Sequence, residues 1–189
     1  MFFIMNMIKT LFYLPFYSFL MIITRKERKK LFKEDAKRWC QWKMISYSQY
    51  NISKLLAKYK EFRNLFYYRI GPYSYIVRLM FPGYDHLQIT TPRSCIGGGL
   101  IIQHGFSTII SAKCIGKNCK IYQQVTIGYN HALEAPILGD NVEVCCGAKI
   151  IGGVRIGNNV IIGANAVVIN DVPDNCVIAG VPAKIIKKI

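Results

Sequence analysis

The stretch LGDNVEVCCGAKIIGGVRIGNNVIIGANAVVINDVP (138–173) divides into sixes. An aliphatic residue opens each six, at 138, 144, 150, 156, 162 and 168. A small or apolar residue stands two places before the next opening: Val142, Ala148, Val154, Val160 and Ala166. Three six-residue sides close one triangular coil, and successive coils stack their aliphatics into an inward column. Gly and Asn after the aliphatic (Gly139, Asn141, Gly157, Asn158, Gly163) suit the corners. No single coil can bury its own face, so the stack is the folding unit.

The same count runs upstream through IGGGLI, IQHGFS, a one-residue slip at Thr108, then IISAKC, IGKNCK, IYQQVT and IGYN. It sets aliphatic positions at 96, 102, 109, 115, 121 and 127, preceded at two places by Leu100, Cys119 and Val125. Residues 129–137 (YNHALEAPI) break the count and read as a loop protruding from one corner, where solenoid insertions gather into binding faces. At the other end Pro173 and Pro182 stop the repeat and a basic tail follows, so 171–189 reads as a cap over the open coil. The fold class is therefore mainly β: a left-handed parallel β-helix over 81–189, preceded by an α-helical, partly hydrophobic N-terminal region.

That region has a different character. Residues 1–80 hold 16 Lys/Arg against 4 Asp/Glu, whereas 81–189 hold 9 against 6, so most of the net +15 sits in the first part. Such asymmetry suggests an anionic partner, with a membrane surface or acidic polymer ahead of nucleic acid, since nothing in the repeats is built to read a groove. Residues 1–24 are apolar and aromatic (Phe2, Phe3, Phe12, Tyr13, Phe16, Tyr17, Phe19), broken by Lys9 and Pro15, and a basic run, TRKERKK, follows. This anchor-like segment suits contact with a membrane surface through residues 1–30; a single span and a helix buried in an oligomer are the alternatives. A cleavable leader is not indicated. The basic cluster argues for a cytoplasmic chain, peripheral at the inner face of the plasma membrane. Residues 25–80 read as a basic helical region, with helices over Glu27–Met44 and Lys54–Tyr68, the second opened by Asn51 and ended by Gly71-Pro72.

The seven cysteines are odd in number, and most fill slots that other repeats give to small or apolar residues. They read as reduced thiols acting as small hydrophobes rather than as disulfides or a metal set.

On the segments IGGGLIIQHGFSTII (96–110), QQVTIGYN (123–130), IGNNVIIGANAVV (156–168) and DVPDNCVIAGVPAKII (171–186), the chain resembles the hexapeptide-repeat acyltransferases. The likeness is strongest to the serine acetyltransferase-like branch, which includes capsular and exopolysaccharide O-acetyltransferases. It implies a homotrimer with active sites between neighbouring β-helices, acetyl-CoA as donor, and no metal. Helices 27–70 resemble that branch more weakly.

Acetyl transfer to a hydroxyl needs a base, oxyanion donors and a slot for CoA. By the resemblance His104 is the general base, with Gln103 beside it. Asn130, His131 and Gln124 are candidates for acceptor binding. Cys146, Gly147 and Ala164 would lie along the CoA arm, and Lys184 would meet its phosphates. His86 reads as structural, and a covalent role for Cys145-Cys146 is disfavoured because no histidine shares their register.

Four positions depart from true serine acetyltransferases. The acid before the base is Gln103, an orienting acid one coil earlier is Ile89, a histidine before a proline is Ala135, and a glutamate after the base is Ala112. These losses favour a sugar hydroxyl, as in polysaccharide biosynthesis, over free serine. Serine acetylation is the alternative activity, and a non-catalytic trimeric scaffold is the alternative of another class. A zinc carbonic anhydrase on the same β-helix needs three histidines, and only His104 and His131 lie in the repeats.

Overall fold

The computed structural model describes residues 2–189, with side chains from Met7 onward. Met1 and the side chains of Phe2 and Phe3, part of the aromatic segment above, lie outside it. Two compact units are resolved, Met1–Asp85 and His86–Ile189.

The first unit is helical: α1 Phe2–Ile23, α2 Lys26–Trp42, α3 Gln49–Lys58, α4 Lys60–Ile70 and the short α5 Tyr75–Met80. No described helix is long and apolar enough to cross a membrane. Helix α1 packs along α3 and buries Tyr13, Tyr17 and Leu20. The core is aromatic. Phe32 lies 4.7 Å from Phe66 and 5.6 Å from Phe62 between ring centroids, and Phe62 lies 4.9 Å from Trp39. Such tilted contacts add specificity to the large area each ring buries.

Two helix boundaries differ from the sequence expectation. The first helix stops at Trp42, and Met44, which the periodicity placed on its apolar seam, is 93% exposed. The second is two helices. Ser48, not Asn51, is its N-cap, its side chain accepting the Asn51 N–H at 3.1 Å. Tyr59 then breaks the run in an extended conformation, and its ring packs on Trp39 at 6.0 Å. That tertiary contact overrides a pattern that reads as continuous helix. Gly71, at φ 79°, ends α4 where the Gly-Pro pair predicted.

The second unit is the β-helix. Its strands are β1 Leu87–Ile89, β2 Ile101–Ile102, β3 Thr108–Ile110, β4 Cys114–Ile115, β5 Lys120–Ile121, β6 Thr126–Gly128, β7 Ile137–Leu138, β8 Glu143–Val144, β9 Lys149–Ile151, β10 Arg155–Ile156, β11 Val160–Ile162, β12 Val167–Val168, β13 Cys176–Gly180 and β14 Ala183–Lys188. They fall into three sheets, the faces of a prism. The first face is β1-β3-β6-β9-β12, the second β4-β7-β10, and the third β2-β5-β8-β11-β13-β14. From β2 to β12 the chain visits third, first and second faces in strict rotation, with every pairing parallel, and a lone Ile156–Val172 bridge holds the second-face place before β13. The winding is that of a left-handed parallel β-helix.

Eleven of the twelve repeat aliphatics point inward as read; the exception is Ile109. Ile109 is 39% exposed, while Thr108 and Ile110 on either side are fully buried, and Ile110 pairs with Ile127. The one-residue slip is in fact a corner two residues longer, since Ile102 and Ile110 are eight apart where Ile121 and Ile127 are six. The next side is one residue shorter, from Ile110 to Ile115, so the later register is undisturbed. Because side chains alternate along a strand, a miscount of one turns the wrong residue inward.

Asn118, Asn141, Asn159 and Asn175 take the left-handed conformation, φ 54° to 58°, at the corner between second and third faces. Their amides form a ladder, Asn141 Nδ2 to Asn159 Oδ1 at 3.0 Å and Asn159 Nδ2 to Asn175 Oδ1 at 2.8 Å. Gly97 and Gly139, just before that corner, serve a different need: a Cβ on either would come within 2.8 Å of backbone in the next coil.

The C-terminus is not a loose basic tail. After Val181-Pro182, β14 turns back and pairs antiparallel with β13, Lys184 opposite Ala179. The solenoid's last strand edge is thereby covered.

Candidate active site

His104 sits in the longer corner, between the third and first faces, with φ 65° and its side chain exposed. Gly105 and Ser107 are also left-handed there, at 61° and 50°. A corner this tight, with so many positive φ values, is held from outside. Gln124 N–H donates to Phe106 O at 3.0 Å, and Thr108 N–H donates to His86 O at 3.1 Å. The Thr108 hydroxyl also donates to Phe106 O at 3.2 Å. His86 thus holds the corner through its backbone.

Gln103 Nε2 lies 3.4 Å from His104 Nε2. With the ring proton on Nδ1, the Nε2 lone pair accepts that amide N–H. That tautomer presents an unprotonated nitrogen to a hydroxyl. The contact is long and gives way readily to a better donor.

The same corner recurs in the coils stacked on His104, at residues 122–125, 145–148 and 163–166. Gln124 (φ 60°), Gly147 (φ 73°) and Asn165 (φ 56°) occupy the left-handed position in turn. Gly147 N–H donates to Gln123 O at 3.0 Å, and Asn165 N–H donates to Cys146 O at 2.9 Å. Four of the residues singled out from the sequence therefore share His104's edge: Gln124, Cys146, Gly147 and Ala164. Lys184 lies off the same end of the third face: Gly163 packs on Ala179 in β13, which pairs with Lys184. The floor of this edge is small, and a Cβ on Gly147 would collide with Asn165 Oδ1.

Gln123 is not among the residues that the sequence points to, unlike its neighbour Gln124. The Gln123 Oε1 is buried without a hydrogen-bond partner, beside the Gly147 contact. A polar residue directly preceding the exposed corner glutamine was the available signal. Burial, reinforced by Glu143, pushes the Cys145 thiol up, so it stays protonated near neutral pH and is a poor nucleophile.

Asn130 and His131 are elsewhere, at the corner between first and second faces. The 129–137 loop is folded down rather than free. Asn130 Nδ2 donates to Glu134 Oε2 at 2.9 Å, and Asn130 Oδ1 accepts the Glu134 N–H at 3.0 Å. The loop rests on Gly152 and Gly153, and His131 is exposed at its tip. Within one chain, then, His131 and His104 stand at opposite ends of the first face. Of the four departing positions, Ile89 is half-buried in register with Ile110, Ala112 is buried and donates its N–H to Thr91 Oγ1 at 2.8 Å, and Ala135 is half-buried. No group of three or more His, Cys, Asp or Glu side chains among the described residues is arranged to hold a metal ion.

The faces in rotation and the six-residue register define a protein class, the parallel β-helices built on hexapeptide repeats. The family model described as bacterial transferase hexapeptide (six repeats) matches residues 135–170, inside this unit. Over these repeats the chain is similar to the hexapeptide-repeat family, and the relatives it matches are serine acetyltransferases. It is 42% identical over 101 residues to the serine acetyltransferase of Staphylococcus aureus, a match covering 51% of this chain and 47% of that protein. The chain thus spans about half the length of the curated relatives it matches. The crystal structure of Neisseria gonorrhoeae serine acetyltransferase superimposes with a TM-score of 0.68 at 26% identity, covering 87% of this chain and 66% of that one. A serine acetyltransferase solved in complex with CoA shares the fold, with a TM-score of 0.65 at 24% identity over 85% of this chain and 70% of that one.

Proposed function

We propose that the chain is an O-acetyltransferase that uses acetyl-CoA as donor. The carrying observation is the edge itself. An exposed imidazole stands at one corner, and on the same edge the second and third coils beyond it carry the small residues Cys146, Gly147 and Ala164. In this reading the acceptor hydroxyl gives its proton to His104 Nε2 as its oxygen attacks the thioester carbonyl. The tetrahedral intermediate then expels the CoA thiolate, which takes the proton back from the imidazolium. Pantetheine would lie along Cys146, Gly147 and Ala164, and Lys184 would meet CoA phosphate. A CoA donor puts the reaction on the cytoplasmic side of any membrane.

Three chains around one axis complete the site. Since Asn130 and His131 occupy a different corner from His104, they meet it only when the loop of one subunit faces the edge of the next. The relatives make serine the first acceptor to test, in place of the sugar hydroxyl that the sequence departures favoured. A sugar hydroxyl remains the second reading, supported by Gln103, Ile89, Ala112 and Ala135 standing where serine acetyltransferases carry ionisable residues.

The test is CoA release and acetylated product from the purified protein given acetyl-CoA with serine, and separately with sugar acceptors. O-acetylserine that disappears in a His104 variant supports the first reading, and acetyl-sugar alone supports the second. A folded protein that neither binds acetyl-CoA nor transfers acetyl to either acceptor overturns the enzyme reading in favour of a scaffold.

A further inference from the structure

The outward side of α1 is bare hydrocarbon. Leu11, Phe12, Phe19, Ile22 and Ile23 are 40% to 75% exposed. Their spacing puts them on one side of the helix, opposite the buried Tyr13, Tyr17 and Leu20. The usual amphipathic order is thus reversed, with hydroxyl-bearing rings inside and hydrocarbon outside. α5 also leaves large apolar side chains bare, with Tyr75, Ile76 and Leu79 70% to 84% exposed. Tyr13 of α1 packs on Phe81, the residue that follows α5, with ring centroids 4.6 Å apart. Apolar residues scattered singly need no explanation, but two adjoining helices that both turn hydrocarbon outward do.

Charge decides what fits there. Directly after α1 come Arg25, Lys26, Lys30 and Lys33, all exposed, in a helical unit whose Lys/Arg outnumber Asp/Glu four to one over residues 1–80. An apolar helix side followed at once by a basic turn is complementary to an anionic bilayer, where acyl chains lie just beneath phosphate. α1 packs along α3 on one side and leaves its other side apolar, the arrangement of a helix that can lie in the interface.

We propose that α1 and α5 form a docking face for an anionic lipid bilayer, α1 lying in the headgroup plane and the 25–33 basic residues on lipid phosphate. The acceptor would then be acetylated beside a membrane, though the docking stands apart from the enzymatic reading.

The experiment is flotation of the full chain with phosphatidylcholine vesicles, with and without phosphatidylglycerol. The chain is expected to float with the anionic vesicles and to be released by salt. Phe12→Ser with Phe19→Ser, both on the outward side, should weaken binding about tenfold or more. Lys26→Glu with Lys30→Glu should weaken it severalfold while leaving circular dichroism unchanged. If the phenylalanine pair fails to fold, the exposed lysine pair still decides. Absence of flotation, equal binding to neutral vesicles, or binding untouched by the substitutions overturns the proposal. So does a phenylalanine pair that lowers the mass in solution while vesicle binding is unaffected, which would mark the face as one that another protein chain covers.

Discussion

The backbone N–H of Gln124 donates to the carbonyl oxygen of Phe106 at 3.0 Å, tying the enlarged His104 corner to the coil stacked on it. The imidazole therefore stands exposed on a corner held by the next coil, the support that the proposed role of His104 as a base would call for.

His104→Asn should leave the fold intact, because the side chain is exposed and Asn tolerates φ 65°. Acetyl transfer should drop by about 100- to 10,000-fold, the usual contribution of a positioned base. Steady-state rates beside a thermal melt check this; an unchanged rate would remove His104 from the chemistry.

Ile110→Ala should destabilise the β-helix by about 2–5 kcal/mol, and Ile109→Ala by well under half of that. Ile110 is fully buried in register with Ile127, while Ile109 faces outward. Urea denaturation of the two variants tests the corrected register, and equal losses would contradict it.

Asp35 and Arg69 form a two-pronged, fully buried ion pair, Nε to Oδ2 at 2.8 Å and Nη2 to Oδ1 at 3.3 Å. Asp35→Ala should cost about 3–5 kcal/mol by leaving a guanidinium buried without its carboxylate. Asp35→Leu combined with Arg69→Met should recover most of that loss. Denaturation midpoints of single and double variants give the coupling.

Burial pushes the Tyr13, Tyr17 and Tyr67 phenols above their ordinary value of 10.0. Their contribution to stability is fully present below that value. It is lost as pH rises toward the folded values, because the unfolded chain releases those protons first. Thermal melts of the helical unit should hold steady up to about pH 9.5 and fall beyond it. Tyr17→Phe should flatten the fall.

Sequence alone settled the β-helix, since an aliphatic residue every sixth position leaves no other way to bury a continuous column. It also brought out His104 and the small residues of 145–148 and 163–166, whose shared corner follows from counting sides. It could not settle where an irregular corner absorbs its extra residues. Ile109 and Ile110 are chemically identical, and only pairing with the next coil tells which turns inward. Nor could helical spacing reveal the break at Tyr59, because the Trp39 ring that holds it lies outside the local window. The N-terminal segment shows the same division. Its hydrocarbon content is plain from the residues, but whether that surface is covered depends on which side packs against α3. Tertiary packing buries Tyr13, Tyr17 and Leu20 and turns Phe12 and Phe19 outward.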